Sequence, residues 1–521
     1  MTKSVSSIFN YLLKDPIIDY LKLYGKSRGF FTDEHYNKSL KNYSFSNLII
    51  QLGNQWEEKV INHIRTKIDI IEIQKSDNAF DQTLDLINKN TPIIYQGFLR
   101  DENFHGYIDL LVHIDYANQL FEGFTQDIYN FFQRKEMKYL PIDIKLSYNE
   151  DKNKYYQNYI DTQIYLYGKM LYTQLGKETN LIMGFIISKQ PLKDKIKISC
   201  LKLTDNLLIE AQKASQWLDR LKNEGNEWNV FETKIPELYP NLKNQYDSNW
   251  KNVKKIIAKE KKEITLLYYC GQDIREKCFS KGIYSYDDPQ FKNILNTNFK
   301  KDCQTLSTIN DMLNMKENGI EKKQFNTKGK LLFIDIETVH NHFKLVKDEY
   351  NELKNDLIIQ IGVGYENSNK KWIYKSFDSY DTNLDNKNEE KILREFKNFL
   401  DFLEEEYEHI TFVCYTKAEN KLFDKLNFKN FTIIDLHEDT KKMRFPSLFS
   451  FSLKSIIKVF KERNMCEVSY EDCYIRDGLT AMTLVLKKDK EGLTTEDKTE
   501  LRKYNEIDCK ALYELFKIIY N

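Results

Sequence analysis

One ten-residue stretch, Lys330–Val339, most constrains how this chain can fold. Its apolar residues run into two acids, and this order predicts a buried strand with carboxylates at its exit. Residues i and i+2 of a strand project from the same face, so Asp335 and Glu337 point the same way. Neighbouring carboxylates repel each other unless a cation lies between them, and hard divalent metal ions bind such oxygen ligands. The stretch predicts a metal site, although an Asp-x-Glu pair at a strand end also occurs in solvated turns.

The composition sets limits on partners and compartment. The 521 residues are enough for two or three domains, and 78 basic residues balance 78 acidic ones. Nucleic-acid binding would therefore need local basic patches. Eight cysteines without a C-x-x-C pair predict reduced thiols. Without a signal-like N terminus or an apolar run of about 18 residues, we expect a soluble intracellular protein of the cytoplasm or nucleus, with no membrane partner.

Changes of pattern along the chain predict four segments. They are a helical lead-in over 1–44, an α/β domain over 45–204, a charged helical connector over 205–329 and a second α/β domain over 330–521. Inside the connector, the basic residues of 251–262 predict a solvated helix face or a phosphate-binding patch. Residues 264–288 resemble a degenerate helix-hairpin-helix, which would be either a phosphate grip or a simple connector.

Polar side chains interrupt apolar patterns in the first α/β domain. Glu57 lies beside the apolar face of a predicted helix, where a solvated glutamate is the ordinary interpretation. Asp109 lies within an apolar strand, and burial of a lone carboxylate is costly, so it needs a metal or a cationic partner. Asp143 and Lys145 occupy positions i and i+2 of the next strand and share one face. A simple salt bridge would explain that pair alone, but not its coincidence with Asp109.

The order of these residues resembles the RecB-type branch of the PD-(D/E)XK nucleases. That family has a helical acid, then G-x-x-D, then D-x-K on the next strand, then a helix with Q-x-x-x-Y. The matching positions here are Glu57, Gly106-Tyr-Ile-Asp109, Asp143-Ile-Lys145 and Gln163-Ile-Tyr-Leu-Tyr167. The resemblance covers about residues 45–200 and implies a restriction-endonuclease-like fold. Many members carry a histidine before the helical acid, where this chain has Trp56.

The resemblance also implies roles for these side chains. One or two Mg²⁺ or Mn²⁺ ions would be held by Glu57, Asp109, Asp143 and the carbonyl of Ile144. Lys145 would steady the attacking water or the pentavalent phosphate, while Gln163 and Tyr167 would position the nucleic-acid backbone. Iron–sulfur members of this branch carry a cysteine ahead of the core. This chain has none before Cys200, so an iron–sulfur cluster is not expected.

Strands and helices alternate from residue 330 onward, which predicts a mixed sheet flanked by helices, as in RNase H-like folds. In the last helix, Tyr504 and Asp508 are one turn apart and share a face. Together with Asp335 and Glu337, they resemble the DEDDy 3′-5′ exonucleases. Three motifs resemble the RNase H-like domain found behind RecB-type nucleases in a predicted two-nuclease family: Ser452-Leu-Lys-Ser455, Arg476-Asp-Gly-Leu-Thr-Ala-Met482 and Tyr504-Asn-Glu-Ile-Asp-Cys509.

In the mechanism that this resemblance implies, two metals clamp the scissile phosphate. Asp335 would bridge both metals, Glu337 and Asp508 would complete their ligand shells, and Tyr504 would orient the attacking water. For the remaining acid, Glu419 lies at the expected distance from its strand, whereas Asp424 matches the family's Phe-Asp pattern but falls five residues late. We favour Glu419.

The two resemblances together imply a hydrolase of nucleic-acid phosphodiesters, with DNA in repair, recombination or replication as the expected substrate. They leave room for a helicase or another replication or repair partner. Two alternatives stay open. The first is a binding scaffold that keeps the folds but has lost turnover. The second is an RNA-processing nuclease, because neither set of acids reads the 2′ hydroxyl.

Overall fold

A computed structural model gives the fold. It describes residues 2–33, 45–146, 153–177, 181–247, 249–314, 317, 320–325, 329–340, 356–380, 384–416, 419–426, 431–445, 448–471, 473–475, 477–488 and 492–520. The chain divides into two compact units, Met1–Thr32 with Ile49–Ile257 and Asp33–Leu48 with Ala258–Asn521. Residues 205–329, the predicted connector, are therefore shared between the two units.

The first unit is built on a mixed sheet. Its strands within the described residues are β1 Lys3–Ser4, β2 Ile71–Glu72, β3 Ile93–Arg100, β4 Phe104–His113, β5 Phe121–Glu122, β6 Tyr139–Lys145, β7 Leu181–Ser188, β8 Ile196–Lys197 and β9 Ser199–Thr204. The main sheet has the order β2-β3-β4-β6-β7-β9, with β1 on the edge of β4, while β5 and β8 form a separate pair. β4 is antiparallel to both of its neighbours, β3 and β6, whereas β6 and β7 are parallel.

Helices surround this sheet. Those described in or entering the first unit are α1 Phe9–Leu12, α2 Ile17–Tyr20, α3 Phe45–Arg65, α4 Ala79–Asn88, α5 Ile114–Leu120, α6 Gln126–Arg134, α7 Lys154–Gln174, α8 Asn206–Glu224 and α9 Lys251–Glu260. The side chain of Asn153 caps α7 by accepting hydrogen bonds from the backbone N–H groups of Tyr155 and Tyr156. Most residues from Tyr159 to Tyr172 are buried, so α7 is a core helix of this unit.

The second unit is built on a five-stranded mixed sheet. Its strands are β10 Lys330–Val339, β11 Leu357–Glu366, β12 Trp372–Asp378, β13 Ile410–Cys414 and β14 Phe431–Asp435, in the order β12-β11-β10-β13-β14. β11 is antiparallel to both β10 and β12, whereas β13 is parallel to both β10 and β14. The predicted mixed α/β architecture is therefore confirmed for both units.

The helices of the second unit cover both faces of its sheet. Those described are α10 Gln272–Phe279, α11 Phe291–Asn298, α12 Cys303–Leu313, α13 Asn386–Glu406, α14 Asn420–Leu426, α15 Leu436–Thr440, α16 Leu453–Glu462, α17 Gly478–Lys488 and α18 Thr495–Ile519. Side chains alternate between the two faces of β10. Leu332 and Ile334 therefore pack in a core with α13, whereas Phe333 packs in the core with α18. Asp335 and Glu337 follow Phe333 on its face of the strand, which is the face of α18.

Two further sequence predictions concern the helix-hairpin-helix segment and the absence of membrane-spanning helices. α10 and α11 fall in and beside the segment that resembles a helix-hairpin-helix, and its contact with nucleic acid stays a prediction. In the described part of the chain, no helix is both long enough and apolar enough to span a bilayer. Arg476, one residue of the motifs that carry the resemblance, lies outside the described residues.

Candidate active sites

Three carboxylates converge in the second unit. β10 supplies Asp335 and Glu337, and α18 supplies Asp508. One oxygen atom from each lies within 4.8 Å of the others. Among the residues that the structure describes, no second group of three acid, histidine or cysteine side chains is this close. Oxygen atoms at such separations are suited to a shared divalent cation.

Burial and mutual repulsion make these carboxylates unfavourable as anions. Burial, and then the charges of Asp508, Glu337 and Glu419, raise the pKa of Asp335 well above its usual value. Burial, with the Asp508 charge, raises the pKa of Glu337 to about 8. A divalent cation would reverse this effect, because it stabilises the ionised form of each ligand. The donor set therefore fits Mg²⁺ or Mn²⁺.

The structure distinguishes the two candidates for the fourth acid. Glu419 is only 4% exposed, and its Oε2 has no hydrogen-bond partner among the described residues. Burial raises its pKa to about 8, and its charge acts on Asp335. Asp424 is exposed on α14. Asp435 has a structural role, because its Oδ1 accepts hydrogen bonds from the backbone N–H groups of Thr416 and His437, each at 2.9 Å. Of the two candidates, Glu419 is therefore the buried one and the one whose charge acts on Asp335, although it is not among the three carboxylates that lie within 4.8 Å of one another.

Three polar side chains that sequence reasoning did not assign also lie at this site. The Nζ atom of Lys454 donates to the Tyr504 hydroxyl at 2.8 Å. The hydroxyl of Tyr470 donates to Asp508 Oδ1 at 2.6 Å. Asn505 Nδ2 donates to Asp335 Oδ2 at 2.7 Å. Lys454 and Asn505 belong to motifs that carry the resemblance, which is the signal that could have found them.

Asn505 can lie against Asp335 only because residue 362 on β11 is glycine. A Cβ atom there would be 1.5 Å from Asn505 Oδ1. Asn505 is fully buried, and its Oδ1 already accepts a hydrogen bond from Tyr374 at 2.9 Å. The amide therefore has no room to move without the loss of a buried hydrogen bond.

We expect Gly362→Ala to lower the free energy of unfolding by about 1–3 kcal/mol, the usual cost of an added methyl group in a tight core. Thermal unfolding would measure the loss. Gly271→Ala is the matched control, since nothing lies within 4 Å of a Cβ at that position. Equal melting temperatures for the two variants would contradict the tight placement of Asn505.

Metal binding at this site should depend on pH. Glu337 and Glu419 both have a pKa of about 8 without metal, so between about pH 4.5 and 8 the folded chain binds more protons than the unfolded chain. The stability of the metal-free protein that comes from these groups is therefore lost as the pH rises through that window. Metal ions bind the deprotonated carboxylates.

The rise in melting temperature on addition of Mg²⁺ should therefore grow between about pH 6 and pH 8.5. Thermal unfolding with and without Mg²⁺ across this range would measure it. In Asp335→Asn the Mg²⁺ effect should shrink at every pH. A Mg²⁺ effect that stays constant with pH would show that these carboxylates do not exchange protons for metal.

In the first unit, an amide connects the helical acid to the strand acid. Glu57 Oε1 on α3 accepts hydrogen bonds from the Tyr95 hydroxyl at 2.9 Å and from Gln96 Nε2 at 2.7 Å. The same amide nitrogen lies 3.4 Å from Asp109 Oδ1 on β4. Gln96 has a positive φ of 56°, which is uncommon for a residue other than glycine and is often found at functional sites.

The two strand acids lie on neighbouring strands, β4 and β6. Asp109 Oδ2 accepts a hydrogen bond from the backbone N–H of Ile144 at 2.7 Å. Asp143 is 2% exposed, and its Oδ2 lies 2.6 Å from Lys145 Nζ. Burial, together with the Asp143 and Glu57 charges, raises the pKa of Asp109 well above its usual value. Burial lowers the pKa of Lys145, but the charges of Asp143 and Asp109 outweigh this and keep the ammonium protonated.

Two parts of the motif meet at Gly106. A Cβ atom on Gly106 would be 2.9 Å from the hydroxyl oxygen of Tyr167, so glycine allows α7 to approach β4 closely. Gln163, one turn earlier on α7, is 8% exposed, and its Oε1 has no hydrogen-bond partner among the described residues. Trp56, beside Glu57, is buried in the core. The predicted side chains of the first site thus gather on β4, β6, α3 and α7.

Comparisons with known proteins do not add a relative. No protein-family model matches the chain, and neither a search of curated proteins nor a search of solved structures finds a match. The functional interpretation therefore depends on the geometry of the two sites.

Proposed function

We propose that this protein is a metal-dependent nuclease with two active sites that hydrolyse phosphodiesters of DNA. The second unit would be an RNase H-like 3′-5′ exonuclease of the DEDDy type, and the first a RecB-like PD-(D/E)XK nuclease. The observation that carries the proposal is the convergence of Asp335, Glu337 and Asp508 within 4.8 Å. Tyr504, one turn before Asp508 on the same helix, supports the DEDDy assignment.

The residues of the second site fit the chemistry of phosphodiester hydrolysis. Asp335, Glu337, Asp508 and Glu419 would hold two divalent ions, which lower the pKa of an attacking water and stabilise the leaving 3′ oxygen when bound. The protein would supply the geometry: the central strand fixes two ligands, and α18 fixes the third. Tyr504 would hold the attacking water by a hydrogen bond. The mixed sheet with helices on both faces supports the RNase H-like assignment.

The residues of the first site fit the same reaction class. Glu57, Asp109 and Asp143 would hold the metal with the carbonyl of Ile144. Lys145 would steady the attacking water or neutralise charge on the phosphate, because its ammonium is held beside Asp143 and its side chain is 20% exposed. Gln163 and Tyr167 would position the nucleic-acid backbone. The close approach of Tyr167 to Gly106 supports this assignment, since it brings the Q-x-x-x-Y part of the motif against the G-x-x-D part.

The cellular setting is part of the same proposal. A nuclease with two sites would act in DNA repair, recombination or replication, with a helicase or another protein of these processes supplying its substrate. Neither site contains an assigned contact for the 2′ hydroxyl. The digestion experiment therefore includes both DNA and RNA.

The experiment is digestion of end-labelled single- and double-stranded DNA and RNA with Mg²⁺, Mn²⁺ or EDTA. We expect digestion of DNA with either metal and none with EDTA. The double variant Asp143→Asn, Asp335→Asn should be inactive. If the double variant still digests DNA, both site assignments are wrong, whereas a folded wild-type protein that digests nothing favours the scaffold alternative. Digestion of RNA alone would change the substrate class.

A further inference from the structure

Lys454 is a basic side chain at the second site, and the mechanism described above does not use it. It is the second residue of α16, after the capping residue Ser452, whose Oγ accepts a hydrogen bond from the backbone N–H of Ser455 at 3.3 Å. The buried residues Ile456 and Phe460 hold the helix in the core. A cation in the first turn opposes the helix dipole, so helix stability does not explain a lysine at this position.

The ammonium group lies between two tyrosines. Its Nζ donates to the Tyr504 hydroxyl at 2.8 Å and lies 4.5 Å from the centre of the Tyr504 ring. It also lies 4.9 Å from the centre of the Tyr470 ring. Tyr470 in turn donates to Asp508 Oδ1. The lysine therefore touches both aromatic residues that adjoin the carboxylate of α18.

The charge of Lys454 acts on the three carboxylates. Burial raises the pKa of Asp508, and the Lys454 charge, followed by hydrogen bonds from Tyr470 and Tyr504, opposes this. The same charge opposes the rise in the pKa of Asp335 and of Glu337. Lys454 thus lies close enough to the carboxylates for its charge to act on them, and it donates a hydrogen bond directly to Tyr504.

We propose that Lys454 is a positioning residue for the second site, acting through the hydroxyl of Tyr504. A phenolic hydroxyl rotates about its C–O bond and can donate or accept. A hydrogen bond from Lys454 occupies one lone pair of the oxygen, which directs the hydroxyl proton of Tyr504 away from Lys454 toward Asp508 and leaves the other lone pair to accept a hydrogen bond from a water. This role rests on the proposed exonuclease function and specifies which group fixes the tyrosine.

A competing arrangement has Lys454 contact the scissile phosphate directly. The two arrangements predict different rates for the double variant that carries both Lys454→Met and Tyr504→Phe. If the lysine acts through the tyrosine, loss of either one removes the same contribution, and the double variant is no slower than the slower single variant. If the lysine acts on the phosphate, the two losses multiply.

The test uses the full chain with Asp143→Asn, which inactivates the first site. It measures single-turnover removal of 3′ nucleotides from 5′-labelled single-stranded DNA. We expect Lys454→Met and Tyr504→Phe each to slow this step by about 10–100-fold, the usual effect of losing a residue that orients a ligand. The Mg²⁺ concentration for half-maximal rate should not rise, because removal of a nearby cation does not weaken a metal site. Lys454→Arg should keep more activity than Lys454→Met.

Lys458→Met is the matched control, because Lys458 is one turn further along α16 and its side chain is 72% exposed. Turnover of Lys454→Met within about twofold of the control, or losses that multiply in the double variant, would overturn the inference. If Lys454→Met proves unfolded by circular dichroism, the same double-mutant cycle is measured with Lys454→Gln, which also removes the charge. In the chain that carries Asp143→Asn, 3′ digestion that survives Asp335→Asn would overturn the proposed function as well, whereas digestion lost in Asp335→Asn but kept in Lys454→Met would overturn the inference alone.

Discussion

Asparagine in place of Asp335 should abolish 3′-5′ exonuclease activity while the protein stays folded. Its carboxylate lies within 4.8 Å of those of Glu337 and Asp508, and the three together would hold the metal ions. Asparagine keeps the shape but removes the charge, and metal ions supply several kcal/mol of transition-state stabilisation. We therefore expect a loss of about a thousandfold or more. The measurement is single-turnover digestion of 5′-labelled single-stranded DNA with Mg²⁺, in a chain that also carries Asp143→Asn.

The stability of Asp335→Asn separates a catalytic effect from a folding effect. Because burial and neighbouring carboxylates raise the pKa of Asp335, removal of its charge should leave the melting temperature of the metal-free protein unchanged or higher. Asn505, which donates to Asp335 Oδ2, can donate equally to the amide oxygen. Asp424→Asn is the control, since Asp424 is exposed on α14. Equal activity in the two variants would exclude the assigned metal site.

Asparagine in place of Asp143 should remove the cleavage that remains in Asp335→Asn. Asp143 is 2% exposed and pairs with Lys145 at 2.6 Å. Its loss removes a metal ligand and releases the lysine that would meet the phosphate, so a reduction of about a thousandfold is expected. The variant should also be less stable by about 1–3 kcal/mol, because the buried partner of a charged group is lost. Digestion assays and thermal unfolding would measure the two effects.

Asp127→Asn is the control for the first unit, because Asp127 is exposed in the first turn of α6. It should keep full activity. Its free energy of unfolding should fall by only about 0.3–1 kcal/mol, because a favourable interaction with the helix dipole is lost. Cleavage that persists in the chain with both Asp143→Asn and Asp335→Asn would mean that the catalytic groups lie elsewhere.

Local pattern was enough to predict the mixed α/β architecture and three of the acids that come together in the second unit. Apolar runs and alternation predicted the mixed α/β units, because strand and helix periods are written into neighbouring residues. The i, i+2 spacing placed Asp335 and Glu337 on one face, and the one-turn spacing placed Tyr504 beside Asp508. The structure brings the three acids together on the face of β10 that α18 covers.

The choice between Glu419 and Asp424 needed the tertiary structure. Spacing from the strand favoured Glu419, whereas the Phe-Asp pattern favoured Asp424, so the sequence left both open. β13 ends at Cys414, and α14 begins at Asn420. Glu419 is therefore at the junction, buried near Asp335, while Asp424 is on the exposed side of the helix.

Partners that are far apart in the chain were also beyond the reach of local pattern. Lys454 and Tyr504 are 50 residues apart, and no periodicity relates them. The basic run of 251–262 predicted a solvated face or a phosphate patch, yet Lys254 is fully buried and forms ion pairs with Asp15 and Asp247. Asp15 lies 239 residues away in the chain. Neighbouring residues therefore specify the helices, the strands and the spacing of the acids. Which charges are paired is specified by tertiary packing, because pairing in a low-dielectric interior depends on how distant segments meet.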